Sequence, residues 1–310
     1  EYICTHRKTM KRVLIFTFAL TAVLTSVAQS LNVASYNVRM HSKVDYKRGD
    51  GWTSRRDVMC DLIAYSAFDI FGAQEVCHDQ LEDMLSRLPD YAYIGVARDD
   101  GAKKGEYSPI FYRKERFEVL RSGTFWLSET PDKVSYGWDA ACRRVCSWGY
   151  FKDRVTKKKF WFFNTHMDHK GKVARAEGAK LVLAKIREMC GEKANVILTG
   201  DFNVAQGSTA YKTFAKSGLL RDAYDEAPIK FAPSGTFNSF KVENHTLRRI
   251  DHIFVAGFDV ERYGVLTYHY WSDKQGENST LTDAPKEISA EYRGVHLPSD
   301  HYPIQAFVRF

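Results

Sequence analysis

Asn195-Val-Ile-Leu-Thr-Gly-Asp-Phe-Asn203 is the stretch around which the chain organises itself. Residues 195–199 have the short, continuous apolar character of a fully buried strand. Gly200 ends the run, and Asp201 and Asn203 follow at once. Side chains two positions apart in an extended segment point to the same side, so a carboxylate and a carboxamide are expected to project together from the end of a core strand. Such a pair can hold a metal-bound water and a phosphoryl oxygen. It is also what tight turns are made of, because Asp and Asn side chains bond their own backbone. The other strand ends of the chain decide between the two.

Working outward, residues 31–38 (Leu-Asn-Val-Ala-Ser-Tyr-Asn-Val) predict a first strand that ends in Asn37 and leads to Arg39. A polar loop with Gly49 and Gly51 follows, and helical character returns over 55–65. Residues 69–76 predict a second buried strand carrying Glu75 at its end. Residues 78–88 place Leu81, Met84, Leu85 and Leu88 on one helical face, and Pro89 stops that helix. Strands are expected at 91–96, 108–112 and 117–120, then a hairpin over 145–151 and 159–166. The 172–189 segment, with Ala176, Ala179, Leu183 and Ile186 at helical spacing, feeds the opening strand. A short helix at 209–216 and strands at 249–255 and 304–310 complete the pattern; the polar 271–297 segment reads as a loop with little structure. Strands outnumber helices, hairpins come in series, and helices are interspersed. The layer rules then favour an α+β fold of two packed mixed or antiparallel sheets flanked by helices.

The chain has 310 residues, 44% of them hydrophobic, and no composition break after residue 30, so residues 31–310 read as one domain. Residues 1–28 read as a leader: Met10-Lys-Arg, an uncharged apolar run from Val13 to Val27, and the small-residue exit Ser26-Val27-Ala28 describe a secretory signal peptide. The run is short for a membrane span. Cleavage after Ala28 and export, periplasmic or secreted, are the expectation, with an uncleaved anchor as the alternative. Cleavage would remove Arg7, Lys8, Lys11, Arg12 and Glu1, so the formal charge of +7 falls to +4. That weak basicity suits phosphate esters but is no nucleic-acid signature. Of six Cys, Cys4 goes with the leader, and the other five, an odd number, cannot all pair. No Cys-x-x-Cys supports a zinc site, and no Gly-x-Ser-x-Gly supports a serine hydrolase of that type.

The polar residues at or near strand ends are Asn37, Glu75, His166 with Asp168, Asp201 with Asn203, Asp251, and Asp300 with His301. Carboxylates, carboxamides and imidazoles gathered in this way are what metal-assisted phosphoester hydrolysis needs. Tyr-Asn-Val-Arg at 36–39, Gln-Glu-Val at 74–76, Asn-Thr-His-Met-Asp-His at 164–169, Gly-Asp-Phe-Asn at 200–203, Ile-Asp-His at 250–252 and Ser-Asp-His at 299–301 occur in one order. In that order the chain resembles the endonuclease/exonuclease/phosphatase superfamily, over about residues 31–310. The resemblance implies a four-layer αββα sandwich, deoxyribonuclease I-like, and a metal-dependent phosphoric ester hydrolase. It implies Glu75, Asn37 and Asp300 as the metal set, with Mg²⁺ favoured and Mn²⁺ or Ca²⁺ able to substitute. Asp201 would orient or deprotonate the attacking water and Asn203 would hold it or a phosphoryl oxygen. His301 would be oriented by Asp251. His166 would bind the phosphate or protonate the leaving oxygen, with Glu106 as its partner and Asp168 in support. Arg39 and Arg143 are candidate phosphate donors or, equally, ordinary ion-paired arginines. A phosphodiester in a nucleic acid or nucleotide is slightly favoured as substrate. Sphingomyelin-like lipids, inositol phosphates and a non-catalytic binding role on the same fold are the alternatives. No obligate protein partner is implied. Trp52, Trp126, Trp138 and Trp271, in the presumed specificity loops, would stack on a base or sugar or simply anchor those loops.

Overall fold

The computed structural model describes residues 30–279 and 290–310. The leader, residues 1–28, lies outside them. Among the described residues no helix is long and apolar enough to cross a membrane. In chain order the elements are β1 (Ser30–Asn37), α1 (Lys43–Arg48), α2 (Trp52–Ser66), β2 (Ile70–Gln74), α3 (His78–Arg87), β3 (Tyr91–Ile94) and β4 (Ile110–Arg113). They continue with β5 (Phe117–Trp126), β6 (Val145–Asp153), β7 (Lys159–His166), α4 (Lys172–Cys190), β8 (Val196–Asp201) and α5 (Thr209–Ala215). The last are β9 (Arg221–Asp222), α6 (Ala223–Glu226), β10 (Ile229–Phe231), β11 (Asp251–Ala256), β12 (Asp259–Val265), β13 (Tyr270–Ser279), β14 (Ala290–His296) and β15 (Ile304–Arg309).

One sheet has the order β10-β12-β15-β1-β2-β4-β3 and the other β5-β6-β7-β8-β11-β9. Three apolar clusters show how they stack. One lies between the sheets, with Leu31 and Val33 of β1 against Phe160, Phe162, Ile197, Ile253 and Val255 of the other sheet. A second packs the outer face of the first sheet on α2 and α3 through Tyr36, Phe71, Met59, Ile63, Leu81 and Met84. The third packs the second sheet on α4 and α5 through Phe163, Leu198, Val182, Ile186 and Phe214. Helices thus cover both outer faces, the αββα sandwich that the motifs implied.

Strand alternation carries this layering to one edge. In β1, Leu31, Val33, Ser35 and Asn37 share the inward face; in β8, Ile197, Thr199 and Asp201 do; in β7, Phe160, Phe162, Asn164 and His166 do. Each column begins apolar and ends polar. The turnover is a buried network in which Gln74 Nε2 donates to Asn164 Oδ1 (2.7 Å) and Ser35 Oγ (3.1 Å), and Thr199 Oγ1 donates to Asn164 Oδ1 (3.0 Å). Asn164 Nδ2 in turn donates to the Ala73 and Pro109 carbonyls. Gly72 is required here: a Cβ on it would lie 2.2 Å from both Asn164 Oδ1 and Thr199 Oγ1. The network forms the floor beneath the polar edge.

Two expectations are corrected. Residues 271–279 and 290–296 do not form an irregular loop; residues 280–289 of that segment lie outside the described ones. β13 and β14 pair as an antiparallel ribbon with register shifts, apart from both sheets. A ribbon outside both sheets is under no requirement to alternate apolar and polar residues, so its polar sequence carries no strand signal. The polar loop after β1 contains α1, capped by the Ser42 hydroxyl and by a left-handed Gly49.

Candidate active site

The polar ends meet in a cavity of about 590 Å³ whose walls include Glu75, Glu106, His166, Asp201, Asn203, Asp300 and His301. β7 and β8 are parallel, with His166 opposite Asp201; β8 and β11 are antiparallel, with Asp201 opposite Asp251. In the first sheet Asn37 lies opposite Gln74, so the next residue, Glu75, emerges beside it. Three residues at this edge adopt left-handed backbone: Arg39 (φ 57°), Glu75 (φ 62°) and Asn203 (φ 51°). Such conformations cost on the order of 1–3 kcal/mol each. Local hydrogen bonds hold them: Arg39 N donates to Asn37 Oδ1, Met40 N to Glu75 Oε2, and Asn203 N to Asp201 Oδ1. The last bond answers the opening question. Asp201 ends the strand, Asn203 sits in the turn that the Asp201 carboxylate closes, and both line the cavity. The pair is a turn and a site at once, and the turn, rather than extended alternation, brings the side chains together.

Asn37, fully buried behind the cavity, joins the sheets by donating from Nδ2 to Glu75 Oε1 and Asp201 Oδ2, each at 3.0 Å. Its Oδ1 is engaged by Arg39 N, so in this arrangement it orients two carboxylates rather than presenting a free oxygen. Burial and then the neighbouring Asp251 push the Asp201 carboxyl up to about 7. Burial, with Glu75 nearby, also raises Asp300. For Glu75 burial acts upward too, but the Asn37 bond, the His301 charge and the Met40 N–H outweigh it and hold the group low. His301 Nδ1 lies 2.9 Å from Asp251 Oδ2, and its Nε2 lies 3.8 Å from Asp201. Burial opposes its charge, but Asp251 and Asp201 prevail and raise it well above an ordinary histidine. His166 goes the other way, lowered well below the usual value by burial and then by Arg144 and Arg98. The two imidazoles of one cavity are thus pushed in opposite directions, His301 towards its protonated form and His166 towards its neutral form.

His166 Nε2 lies 3.0 Å from Asn203 Nδ2 and 3.4 Å from Asp201 Oδ2. Its Nδ1 has no hydrogen-bond partner and faces Glu106 Oε2 at 3.9 Å. The expected His166–Glu106 pair is thus adjacent but not bonded; Glu106 instead accepts from Arg98 Nη1 at 2.7 Å. Asp168 lies behind the cavity and pins its wall. Its carboxylate accepts from the backbone N–H groups of Ala141, Cys142, Lys170 and Gly171.

Of the two readings given for Arg39 and Arg143, phosphate donor or ordinary ion-paired arginine, the contacts of both match the second. Arg39 lines the cavity, but its Nε lies 2.8 Å from the buried Asp45 and its Nη1 3.5 Å from Asp300, so it supports a carboxylate. Arg143 is not among the residues lining the cavity. It stacks over Tyr136 at 4.4 Å and faces Asp99 at 3.5 Å. Its neighbour Arg144 lines the cavity instead, with Arg98 and His169. Other contributors that motif reading missed are Arg55, which donates to the carbonyls of Arg39 (2.6 Å) and Pro298 (3.1 Å) and so clamps two site loops, and Phe237. The Phe237 ring, 41% exposed, stands edge-on to His301 at 5.0 Å. Only a count of buried cations against strand ends would have pointed to Arg55. Of the four tryptophans, Trp52 and Trp126 are buried anchors bonded to Asp83 and the Arg98 carbonyl. Neither Trp138 nor Trp271 lines the cavity.

The donor set suits a hard divalent cation. Glu75, Asp201, Asp251 and Asp300 gather around His301, and the raised Asp201 and Asp300 reflect burial first and neighbouring carboxylates second, both of which a bound cation would offset. Glu75 with Asp300, or Glu75 with Asp201 and His166, whose ligand atoms lie within 4.8 Å of one another, would hold it.

Comparison with known proteins places this geometry. The model of the endonuclease/exonuclease/phosphatase family matches residues 34–301. A mannosyl-6-phosphatase from Bacteroides thetaiotaomicron is 47% identical, covering 90% of this chain and 100% of that one with a TM-score of 0.83. An endonuclease/exonuclease/phosphatase from Bacteroides vulgatus is 37% identical, covering 91% and 99% with a TM-score of 0.76. An uncharacterised protein of Acanthamoeba polyphaga mimivirus is 30% identical over 250 residues, which is 76% of this chain and 89% of the relative.

Proposed function

The chain belongs to the endonuclease/exonuclease/phosphatase family and is a phosphoric ester hydrolase, and from that premise we propose that it is an exported, Mg²⁺-dependent phosphatase of sugar phosphate monoesters. The hydrolytic reading is carried by one observation: the Asn37 amide links Glu75 to Asp201 across the sheets, while Asp201 also faces the Asp251-bound His301. The sugar monoester moves away from the nucleic-acid diester that the sequence slightly favoured. Support comes from the mannosyl-6-phosphatase, 47% identical over its whole length. It comes also from Phe237, whose exposed ring gives the cavity an apolar platform of the kind a sugar ring can lie on. Export rests on the leader-like residues 10–28.

Glu75 and Asp300 would hold the cation, which supplies Lewis-acid polarisation of the phosphoryl group when bound. Asp201, with its carboxyl near neutrality, accepts a proton from the attacking water and orients it. His301, kept cationic by Asp251, stabilises charge that develops on the phosphoryl oxygens. Neutral His166, placed by Asn203, binds a phosphoryl oxygen or the leaving oxygen.

Phosphate release from mannose 6-phosphate, glucose 6-phosphate, bis-(p-nitrophenyl) phosphate, sphingomyelin and DNA, with Mg²⁺ and with EDTA, tests the assignment. Metal-dependent release from a sugar phosphate, faster than from any diester, is expected. A preparation that cleaves only diesters would overturn the substrate class. N-terminal sequencing of the exported protein tests cleavage after Ala28.

A further inference from the structure

Arg144 is only 5% exposed and lines the cavity from the turn before β6. Its Nη2 lies 3.1 Å from His169 Nδ1, but Nε and Nη1 have no hydrogen-bond partner in the protein. The nearest carboxylates, Asp168 Oδ2 at 3.6 Å and Glu106 Oε2 at 3.9 Å, pair with its charge but lie beyond hydrogen-bond distance. Asp168 is fixed by four backbone donors, and Glu106 is held by Arg98. The result is a buried guanidinium with two nitrogens, Nε and Nη1, free of hydrogen bonds on the cavity wall it shares with His166, a pairing of rigid donors that suits a phosphoryl oxygen.

Counting oxygens gives these donors a task. A phosphate monoester carries three unesterified oxygens and about −1.5 to −2 of charge at neutral pH; a diester carries two such oxygens and a single charge. On the reading above, a cation held at Glu75 and Asp300 would take one oxygen, and Asn203, His166 and His301 would take a second. Arg144 lies 3.9 Å from Glu106, which faces His166 Nδ1, whereas Asp201 faces Nε2 on the other side of the ring. We propose that Arg144 reads the third unesterified oxygen and is the residue that makes the site prefer monoesters to diesters. The inference rests on the phosphatase reading above and deepens it.

The test compares p-nitrophenyl phosphate with methyl p-nitrophenyl phosphate, which share a leaving group and differ by one esterified oxygen. In Arg144→Gln and Arg144→Ala, kcat/KM for the monoester should fall about 100-fold and that for the diester by no more than about fivefold, collapsing the preference. Arg144→Lys, which keeps the charge but not the fork, should lie between. The dissociation constant of inorganic phosphate, measured by calorimetry, should rise in step with the monoester loss, a readout available for any variant that folds, whatever its turnover. Equal proportional losses on both substrates would overturn the proposal and leave Arg144 a structural residue. So would a wild-type enzyme with no monoester preference. If sugar phosphates prove inert while the p-nitrophenyl preference collapses as expected, the sugar assignment fails and the role of Arg144 stands.

Discussion

Replacing Asp251 by Asn removes one charge and almost no volume. Asp251 is 1% exposed, and its Oδ2 lies 2.9 Å from His301 Nδ1. A buried charge-assisted hydrogen bond of this kind contributes roughly 1.5–3 kcal/mol. If that contribution is expressed in the transition state, its loss is about 10- to 150-fold in kcat at 1.36 kcal/mol per decade. Loss of the charge adds to it, because an amide no longer favours the protonated imidazole that the mechanism assigns to His301, and breaking a carboxylate–histidine pair in this way costs up to about 10⁴. Stability should respond much less. Asp251 also pushes the Asp201 carboxyl upward, so neutralising it relieves a repulsion while it breaks a pair. The two effects offset, and a net loss under about 2 kcal/mol corresponds to a fall in Tm of no more than about 8 °C. The assay is kcat at saturating phosphomonoester and Mg²⁺, read beside a thermal melt. A fall of about 10²–10⁴ with the melt retained is expected. A kcat within about threefold of wild type would refute the coupling of Asp251 to His301 as a catalytic device.

Glu75→Gln should weaken Mg²⁺ or Mn²⁺ binding by about tenfold or more in calorimetry, because it deletes a carboxylate ligand of a hard cation. Unchanged affinity would move the cation to the Asp201–Asp251–His301 side. Gly72→Ala drives a methyl into Asn164 and Thr199 at the sheet interface and should lower the unfolding free energy by at least about 2 kcal/mol in urea titration. The Asp168 carboxyl is held down to about 2; burial opposes this, but the N–H donors of Gly171, Lys170, Ala141 and Cys142 overcome it. A depressed carboxylate stabilises the fold above its unfolded pKa of about 3.9 and loses that contribution as pH falls towards 2. Asp168→Asn should therefore be less stable than wild type at neutral pH, with the gap closing between about pH 4 and 2. A constant gap would show that the carboxylate charge is not what matters.

The edge where the chemistry sits was legible because the residues that make it are also those that end buried strands. Asn37, His166 and Asp201 continue inward columns that begin with Leu31, Phe160 and Ile197, so a period of two leads the eye to them. Arg144 was not legible, because alternation in β6 puts residues 145, 147, 149 and 151 on the inward face and 143 rather than 144 would continue it, whereas β6 begins only at Val145 and it is residue 144 that lines the cavity. Asp45 and Arg55 were hidden for another reason. They act through Arg39 and through backbone carbonyls, and nothing in a helical or loop sequence marks a cation that reaches out of a helix to the carbonyls of two loops. The β13–β14 ribbon escaped because it pairs apart from both sheets, whose shared core is what imposes alternation on the other strands.

The strand directions explain why the motifs alternate along the chain as they do. β1 and β2 run parallel, as do β7 and β8, so Asn37, Glu75, His166 and Asp201 all lie at C-terminal strand ends. β11 runs antiparallel to β8, and β15 antiparallel to β1, so each reaches the same edge with its N-terminus. The residues they bring must therefore come at the strand start or before it: Asp251 is the first residue of β11, and Asp300 and His301 precede β15. The two kinds of end do different work. The C-terminal ends deliver carboxylates and amides that share hydrogen bonds through Asn37, whereas the N-terminal ends deliver Asp300 and the His301–Asp251 pair. Asn37–Asp201 and His301–Asp251 both run from one sheet to the other, so a shift of either sheet would strain the two bonds together. The polar floor of Gln74, Asn164 and Thr199, closed over Gly72, is what resists that shift, and this is why buried hydrogen bonds rather than more apolar packing occupy the interface directly below the site.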